Sequence, residues 1–526
     1  MRSAIFALLI TVLSTLNLLW IFPAAMPAGA AEIVKPSDAQ VSPPDLSTLA
    51  KESRWLELLS AASQASAGNA ADTQALIYKL RALRMLGDTD TALSQADQAL
   101  ASFPGDPGLL LERAWIQTFK AAWPKALADA QAASQGKPDL SEALIVQGIA
   151  YRELRDWDHA LAVFTKAAEL RPQDPIPPLN RARAYVEQGL WDEAFAPANR
   201  SIALAPDAPE AYVLRARAYA GKGKLVEAAR DLNRAIKLNP RMSAPYVERA
   251  DVLARSSQWE AAAKDAYTAI VLGSRDQKAY LTACEASVAL GDWNALSGYA
   301  GGGMLVAPNN VVFQHFAAKA YSERGELTKA LAVYDQALRS SPRDANLLLE
   351  RATTSVMLRR YPQAVDDCTA ALALKPLSST YALRGFARFK IGNQEAAFED
   401  CTNALTLEPK TVTAMLVRAS INLERGRVAE ALAESAQALK LDHAQAWSYV
   451  TYGSALLASG RKDEALKVLD QAVALAPKDA QACLARGKCL AALGRNAEAR
   501  ADIEKAASLD GALAQEARSV LDKLKP

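Results

Sequence analysis

The hexapeptide LLLERA occurs at Leu109 to Ala114 and again at Leu347 to Ala352, 238 residues apart, which is seven times 34. A period of 34 is that of a helix-turn-helix unit that buries its apolar face only against the next copy of itself. A chain built this way stacks in one dimension. Repeat starts at 73, 107, 141, 175, 209, 243, 277, 311, 345, 378, 412, 446 and 480 give thirteen repeats ending near Gly511, one of them a residue short. Counted from each start, the eighth slot is Ala, Gly or Cys in every repeat but the first, and the twentieth is Ala in twelve of thirteen. Small residues in both places predict two helices in close approach. Proline in the thirty-second slot of ten repeats ends the second helix.

Tryptophan opens the predicted second helix in the seventeenth slot, as Trp123, Trp157, Trp191, Trp259 and Trp293, with Tyr361 matching them. The small, aromatic and proline slots of EALIVQGIAYRELRDWDHALAVFTKAAELRP, Glu142 to Pro172, resemble the tetratricopeptide repeat family, and the resemblance extends over residues 73 to 511. It implies an all-α, right-handed superhelical solenoid of about thirteen helix-turn-helix units. Its first helices would line a concave groove that takes peptides or protein segments.

The ends of the chain read differently. After MRS, the run AIFALLITVLSTLNLLWIF from Ala4 to Phe22 leads to Ala28-Gly29-Ala30, a small-x-small cleavage pattern. Residues 1–30 are therefore expected to be a secretory signal peptide, and the protein periplasmic or secreted. An uncleaved membrane anchor is the alternative, because the run is just long enough to span a bilayer. Residues 31–48 read as a linker, 49–72 as an N-terminal helical segment, 73–276 as repeats 1 to 6 and 311–511 as repeats 8 to 13. Residues 512–526 read as a C-terminal capping helix. Repeat 7, residues 277–310, carries Gly298, Gly301, Gly302 and Gly303 where a second helix should run, which marks it as degenerate and as a candidate hinge.

Arginine fills the seventh slot in eight repeats, and seven of the eight carry an acid sixteen residues later, whereas none of the other five repeats does. Because the repeats align with one another, the two slots vary together. Ion pairs between the two helices of one repeat are expected, among them Arg113 with Asp129, Arg351 with Asp367 and Arg384 with Asp400. Arg181 has Pro197 where its acid would stand.

By the family resemblance, slots 2, 5, 9 and 12 of the first helix face the groove. Early repeats offer Arg81, Arg84, Arg152, Arg183 and Arg217 there, and Trp115 occupies one such slot. Late repeats offer Phe386, Phe389 and Trp447. A basic stretch followed by an apolar one suits one or more partner proteins or peptide segments, with an acidic polymer as a further partner class.

Other chemistry has little footing. A formal charge of +2 on 526 residues gives no basic excess for nucleic acid. Three histidines fall in three different repeats, and the chain carries no HExxH, GxSxG, Walker or CxxC motif. The five cysteines show no metal-ligand spacing and read as buried free thiols. We expect no catalytic residue, metal or cofactor. The expected function is that of a non-catalytic interaction scaffold or adaptor of the cell envelope. The alternative is a carrier or chaperone-like binder of an extended acidic peptide or polysaccharide.

Overall fold

Each repeat folds as two helices, usually of 13 and 14 residues, joined by a tight turn; Pro107–Phe119 and Trp123–Gly136 are one such pair. The turn dictates its own residue. Its fifteenth-slot backbone is left-handed in all thirteen repeats, and the slot is glycine in nine of them. Without a Cβ, glycine enters that region at no steric cost. Ala121, Arg155, Ser257 and Arg359 adopt it at φ between 52° and 64°.

The computed structural model describes residues 45–69 and 71–524. The segment expected to be a signal peptide lies outside them. The described residues are all-α, in tandem helix pairs, and divide into two compact lobes between Asp292 and Trp293. No helix among them is long and apolar enough to cross a membrane.

The small eighth slot meets the twenty-fourth slot of the second helix, and in some repeats a bulky residue there fills the room that a glycine leaves. A Cβ at Gly148 would stand 2.4 Å from the Phe164 ring, and one at Gly453 would stand 2.6 Å from Leu469. In repeat 1 the sizes invert. Leu80 fills the eighth slot where the twenty-fourth is Ala96, both buried in one cluster. The exception in the first repeat is therefore the same packing rule with its members exchanged.

The seventh-slot arginines lie across three helices. Arg113 donates from Nε and NH2 to both oxygens of Asp129, each at 2.7 Å. Arg351 does the same to Asp367 at 2.9 and 2.6 Å, and Arg384 to Asp400 at 3.0 and 2.7 Å. Arg215, Arg249, Arg418 and Arg486 pair with Asp231, Asp265, Glu434 and Asp502. The spare NH1 reaches back to the preceding repeat, to Asp97 from Arg113 and to Asp335 from Arg351. One guanidinium thus joins both helices of its own repeat to the second helix of the one before. The same-repeat aspartates are buried, Asp400 at 1% exposure, and their two-point geometry suits the planar fork of arginine, whereas Glu434 is half-buried. Opposite Pro197, the Nε of Arg181 is buried and has no hydrogen-bond partner among the described residues.

Two boundaries differ from those read in the sequence. The helix Leu46–Lys51 begins inside the expected linker. With Ser53 left-handed in the turn and Trp55 opening the helix Trp55–Gly68, it makes a shortened helix pair ahead of repeat 1. Its apolar positions do not extend the 34-residue pattern clearly, because its first helix has only six residues. At the other end, Ala514–Leu521 packs on the last repeat through buried Ala517.

Repeat 7 does form its second helix, Trp293–Val306, glycines included. Gly303 is required there, since a Cβ would stand 2.2 Å from Phe313. Within the C-terminal lobe no atom lies within 4 Å of a Cβ placed at Gly298 or Gly301. Those two weaken the helix without helping it pack. Each costs about 1 kcal/mol against alanine, so Gly298→Ala with Gly301→Ala is expected to stabilise the C-terminal lobe and Gly303→Ala to destabilise it. Hydrogen exchange across residues 295–307 is expected to be faster than in Trp259–Val271 and to slow in the double variant. Protection already equal to that helix would remove the proposed hinge.

Candidate functional site

The residues singled out for the groove fill the ninth and twelfth slots of the first helices, with Trp447 in the second, and in the N-terminal lobe they are already engaged. Arg81 Nε donates to Glu112 Oε1 at 2.6 Å, and Arg84 NH2 donates to Glu112 Oε2 at 3.2 Å. Glu112 is fully buried. The Arg84 guanidinium also lies 5.7 Å from the Trp115 ring centroid and 5.6 Å from that of Phe119. Arg217 reaches Glu248 at 2.6 Å, and Lys278 bridges Glu248 at 2.8 Å and Asp251 at 3.2 Å. Arg152 meets Glu153 at 2.6 Å, Asn180 at 3.2 Å and Glu187 at 3.4 Å.

These contacts link one repeat to the next. Arg81 and Arg217 each find an acid 31 residues further on, in the sixth slot of the following repeat. The signal was present in the sequence, at Glu112 and Glu248 and again at Glu350, 31 residues after Lys319, but only three repeats carry it. A slot-by-slot comparison within repeats passes over it.

Burial corrects the picture of a basic binding stretch. Arg84, Arg152 and Arg183 are 5%, 3% and 7% exposed, so they form the wall and are not presented on it. Arg183 shows the cost of that position. Burial, and then the nearby Arg152 charge, push its pKa down to about 9, against the pull of Glu187 and Glu210. Burial likewise lowers Arg84, with Glu112 opposing. Trp115 is half-buried between two core clusters and serves as packing. Of the named cations, Arg81 and Arg217 keep about a third of their side chains in solvent, at 30% and 31%.

The C-terminal lobe presents a different surface. Phe386 packs edge-on to Trp447 at 5.5 Å between ring centroids and 74° between planes. Tyr361 also lies edge-on to Phe386, at 6.4 Å between centroids. The Lys390 ammonium lies 5.4 Å from the Phe386 centroid and 5.9 Å from that of Phe389. All three aromatic side chains named from the sequence are half-buried, and residues from repeats 10 and 12 thus converge. One turn back along the same helix face from Phe386, Ala382 opens onto a cleft of about 440 Å³. Leu349, Leu383 and Val412 supply its apolar lining, Thr353, Ser379 and Thr413 hydroxyls, and Glu350 and Asp442 carboxylates. Such a mixture is chemically suited to an extended chain segment, whose backbone needs hydrogen bonds and whose apolar side chains need cover.

Among the described residues no group of three or more His, Cys, Asp or Glu side chains could hold a metal ion. The five cysteines are free and buried. Burial pushes the thiols of Cys284, Cys368 and Cys401 up to about 12, so they stay protonated and unreactive at neutral pH.

A tetratricopeptide repeat model matches residues 145–209, 179–242, 213–279, 317–379 and 452–516, together half of the chain. No curated protein matches the chain in sequence. Among solved structures, the chain is similar to the hetero-tetramer of Cut9 and Hcn1 from the APC/C, with TM-score 0.43, 15% identity, 85% of this chain and 95% of that one covered. It is also similar to a tetratricopeptide repeat protein from Parabacteroides merdae, with TM-score 0.39, 22% identity and coverage of 46% and 95%. For MamA of Desulfovibrio magneticus the TM-score is 0.29, the identity 21% and the coverage 32% and 94%.

Proposed function

Because the chain belongs to the tetratricopeptide repeat family, we propose that it is a non-catalytic scaffold or adaptor of the cell envelope. It holds partner proteins or peptide segments along the first-helix face of its C-terminal lobe. The family's fold suggests protein interaction in general. The envelope placement rests on the apolar run Ala4 to Phe22 and the Ala28-Gly29-Ala30 pattern. What carries the reading to one surface is the convergence of Phe386, Phe389 and Trp447 beside an open cleft. Large aromatic side chains dominate binding energy where they are grouped and partly desolvated.

The N-terminal lobe gives the acidic-polymer alternative little support. Its groove-slot arginines are paired or buried, and what they hold together is the stack of repeats. Capture of partners from envelope extracts by the chain, with a Trp447→Ala control, tests the reading. A partner held by the aromatic surface should be retained at 0.5 M salt and lost with the substitution, by about 2 kcal/mol or more for a central aromatic anchor. Partners that survive Trp447→Ala and leave steeply as salt rises would instead point to Arg81 and Arg217.

A further inference from the structure

One ion pair of the C-terminal lobe differs from the rest. Arg359 donates from NH2 and NH1 to the two carboxylate oxygens of Asp510, at 2.7 and 3.2 Å, across 151 residues of chain. The other ion pairs described in this lobe span 30 residues at most, as Arg425 and Glu395 do. Arg359 sits in the turn of repeat 9, between Ala345–Met357 and Tyr361–Leu374. Asp510 follows the last second helix, Asn496–Leu509, and its Oδ1 also accepts from the Ala512 amide at 3.0 Å, capping the turn that leads into Ala514–Leu521. A single carboxylate therefore holds both the terminal cap and a turn four repeats away.

The contact lies at the rim of the aromatic cluster. Lys390, whose ammonium covers Phe386 and Phe389, feels both partners of the pair. Burial and then the Arg359 charge lower its pKa, and Asp510 opposes them. Arg359 also occupies a left-handed backbone position, φ 58°, where nine repeats have glycine. The turn imposes that conformation, as it does at Ala121, Arg155 and Ser257, so the contact itself contributes only an ion pair whose arginine is largely exposed, which is weak. A contact so weak closes and opens readily.

We propose that Arg359 and Asp510 form a clasp that closes the C-terminal end of the solenoid over Phe386, Phe389 and Trp447, and that a partner segment gains these residues by opening it. The clasp regulates the surface assigned above and so rests on that reading, but it is testable without any partner. Hydrogen bonding from Arg359 holds the Asp510 carboxyl below the usual carboxylate range. The clasp is then present at neutral pH and lost as the pH falls through that lowered value.

Spin labels at Met357→Cys and Ala512→Cys, both exposed positions, report the distance across the clasp in the full chain, whose native thiols are buried. At low salt the wild-type background should show a dominant short distance. Asp510→Asn keeps an acceptor for the Ala512 amide while removing the charge, and should lower the closed-to-open ratio by about two- to fivefold. Arg359→Glu should do the same, and 1 M salt should mimic the single substitutions. A distance distribution unmoved by Asp510→Asn and by salt would overturn the clasp. Loss of partner capture in Trp447→Ala alongside that result would leave the docking surface standing.

Discussion

Replacing Glu112 by alanine is expected to destabilise the N-terminal lobe by about 3 to 5 kcal/mol, since one partner of a buried ion pair is removed and the other remains. The carboxylate is fully buried and holds Arg81 and Arg84 together, and Arg84 is itself 5% exposed. Without it, two guanidiniums face each other in a low-dielectric wall. Urea unfolding of the lobe and hydrogen exchange in Thr73–Met85 and Pro107–Phe119 would read the effect, which should stay local because each repeat contacts mainly its neighbours. Adding Arg84→Met to Glu112→Ala should recover much of the loss, by removing the stranded charge and leaving an apolar side chain against Trp115 and Phe119. If the single variant unfolds with the wild type, the inter-repeat pairing is only decorative and the wall is held by packing.

Gly148→Leu is the second large effect. Three atoms of the Phe164 ring lie 2.4 to 2.7 Å from where even a Cβ would stand, and the ring is fully buried with nowhere to turn. Overpacking of this kind costs about 1 to 3 kcal/mol or more, and Phe164→Ala alone should cost about 3 to 5 kcal/mol. Combined, the two substitutions recreate the arrangement that Leu80 and Ala96 make in repeat 1. The double variant should therefore be more stable than the sum of the single losses by at least about 2 kcal/mol. Simple additivity in thermal and urea melts would refute volume exchange between the eighth and twenty-fourth slots.

The two predictions separate what was legible in the residues from what was not. Gly148 was identified as a close-approach position from its slot, but its partner Phe164 was not, because the twenty-fourth slot varies from alanine to phenylalanine and shows no pattern until the distance is known. Glu112 belongs to LLLERA and precedes Arg113, whose pairing with Asp129 was legible from co-variation. The inter-repeat role of Glu112 was not. Its offset of 31 residues recurs with Arg217 and Glu248 but not along the whole array. The groove residues divide in the same way. Slot numbers placed Arg152 and Arg183 on the inner face, whereas only the packed repeats reveal how far each is buried.

By itself the sequence determined the period, the helix pairs, the small slots where helices touch, and the arginine and carboxylate pairs within a repeat. A contact at a constant offset is repeated down the chain, so thirteen copies supply their own alignment. Only the tertiary structure decided which cations are exposed, how Phe386 meets Trp447, and that Arg359 reaches Asp510. Contacts of that kind are made once. They depend on small rotations summed from repeat to repeat, which no single repeat encodes and which bring together residues at offsets that never recur.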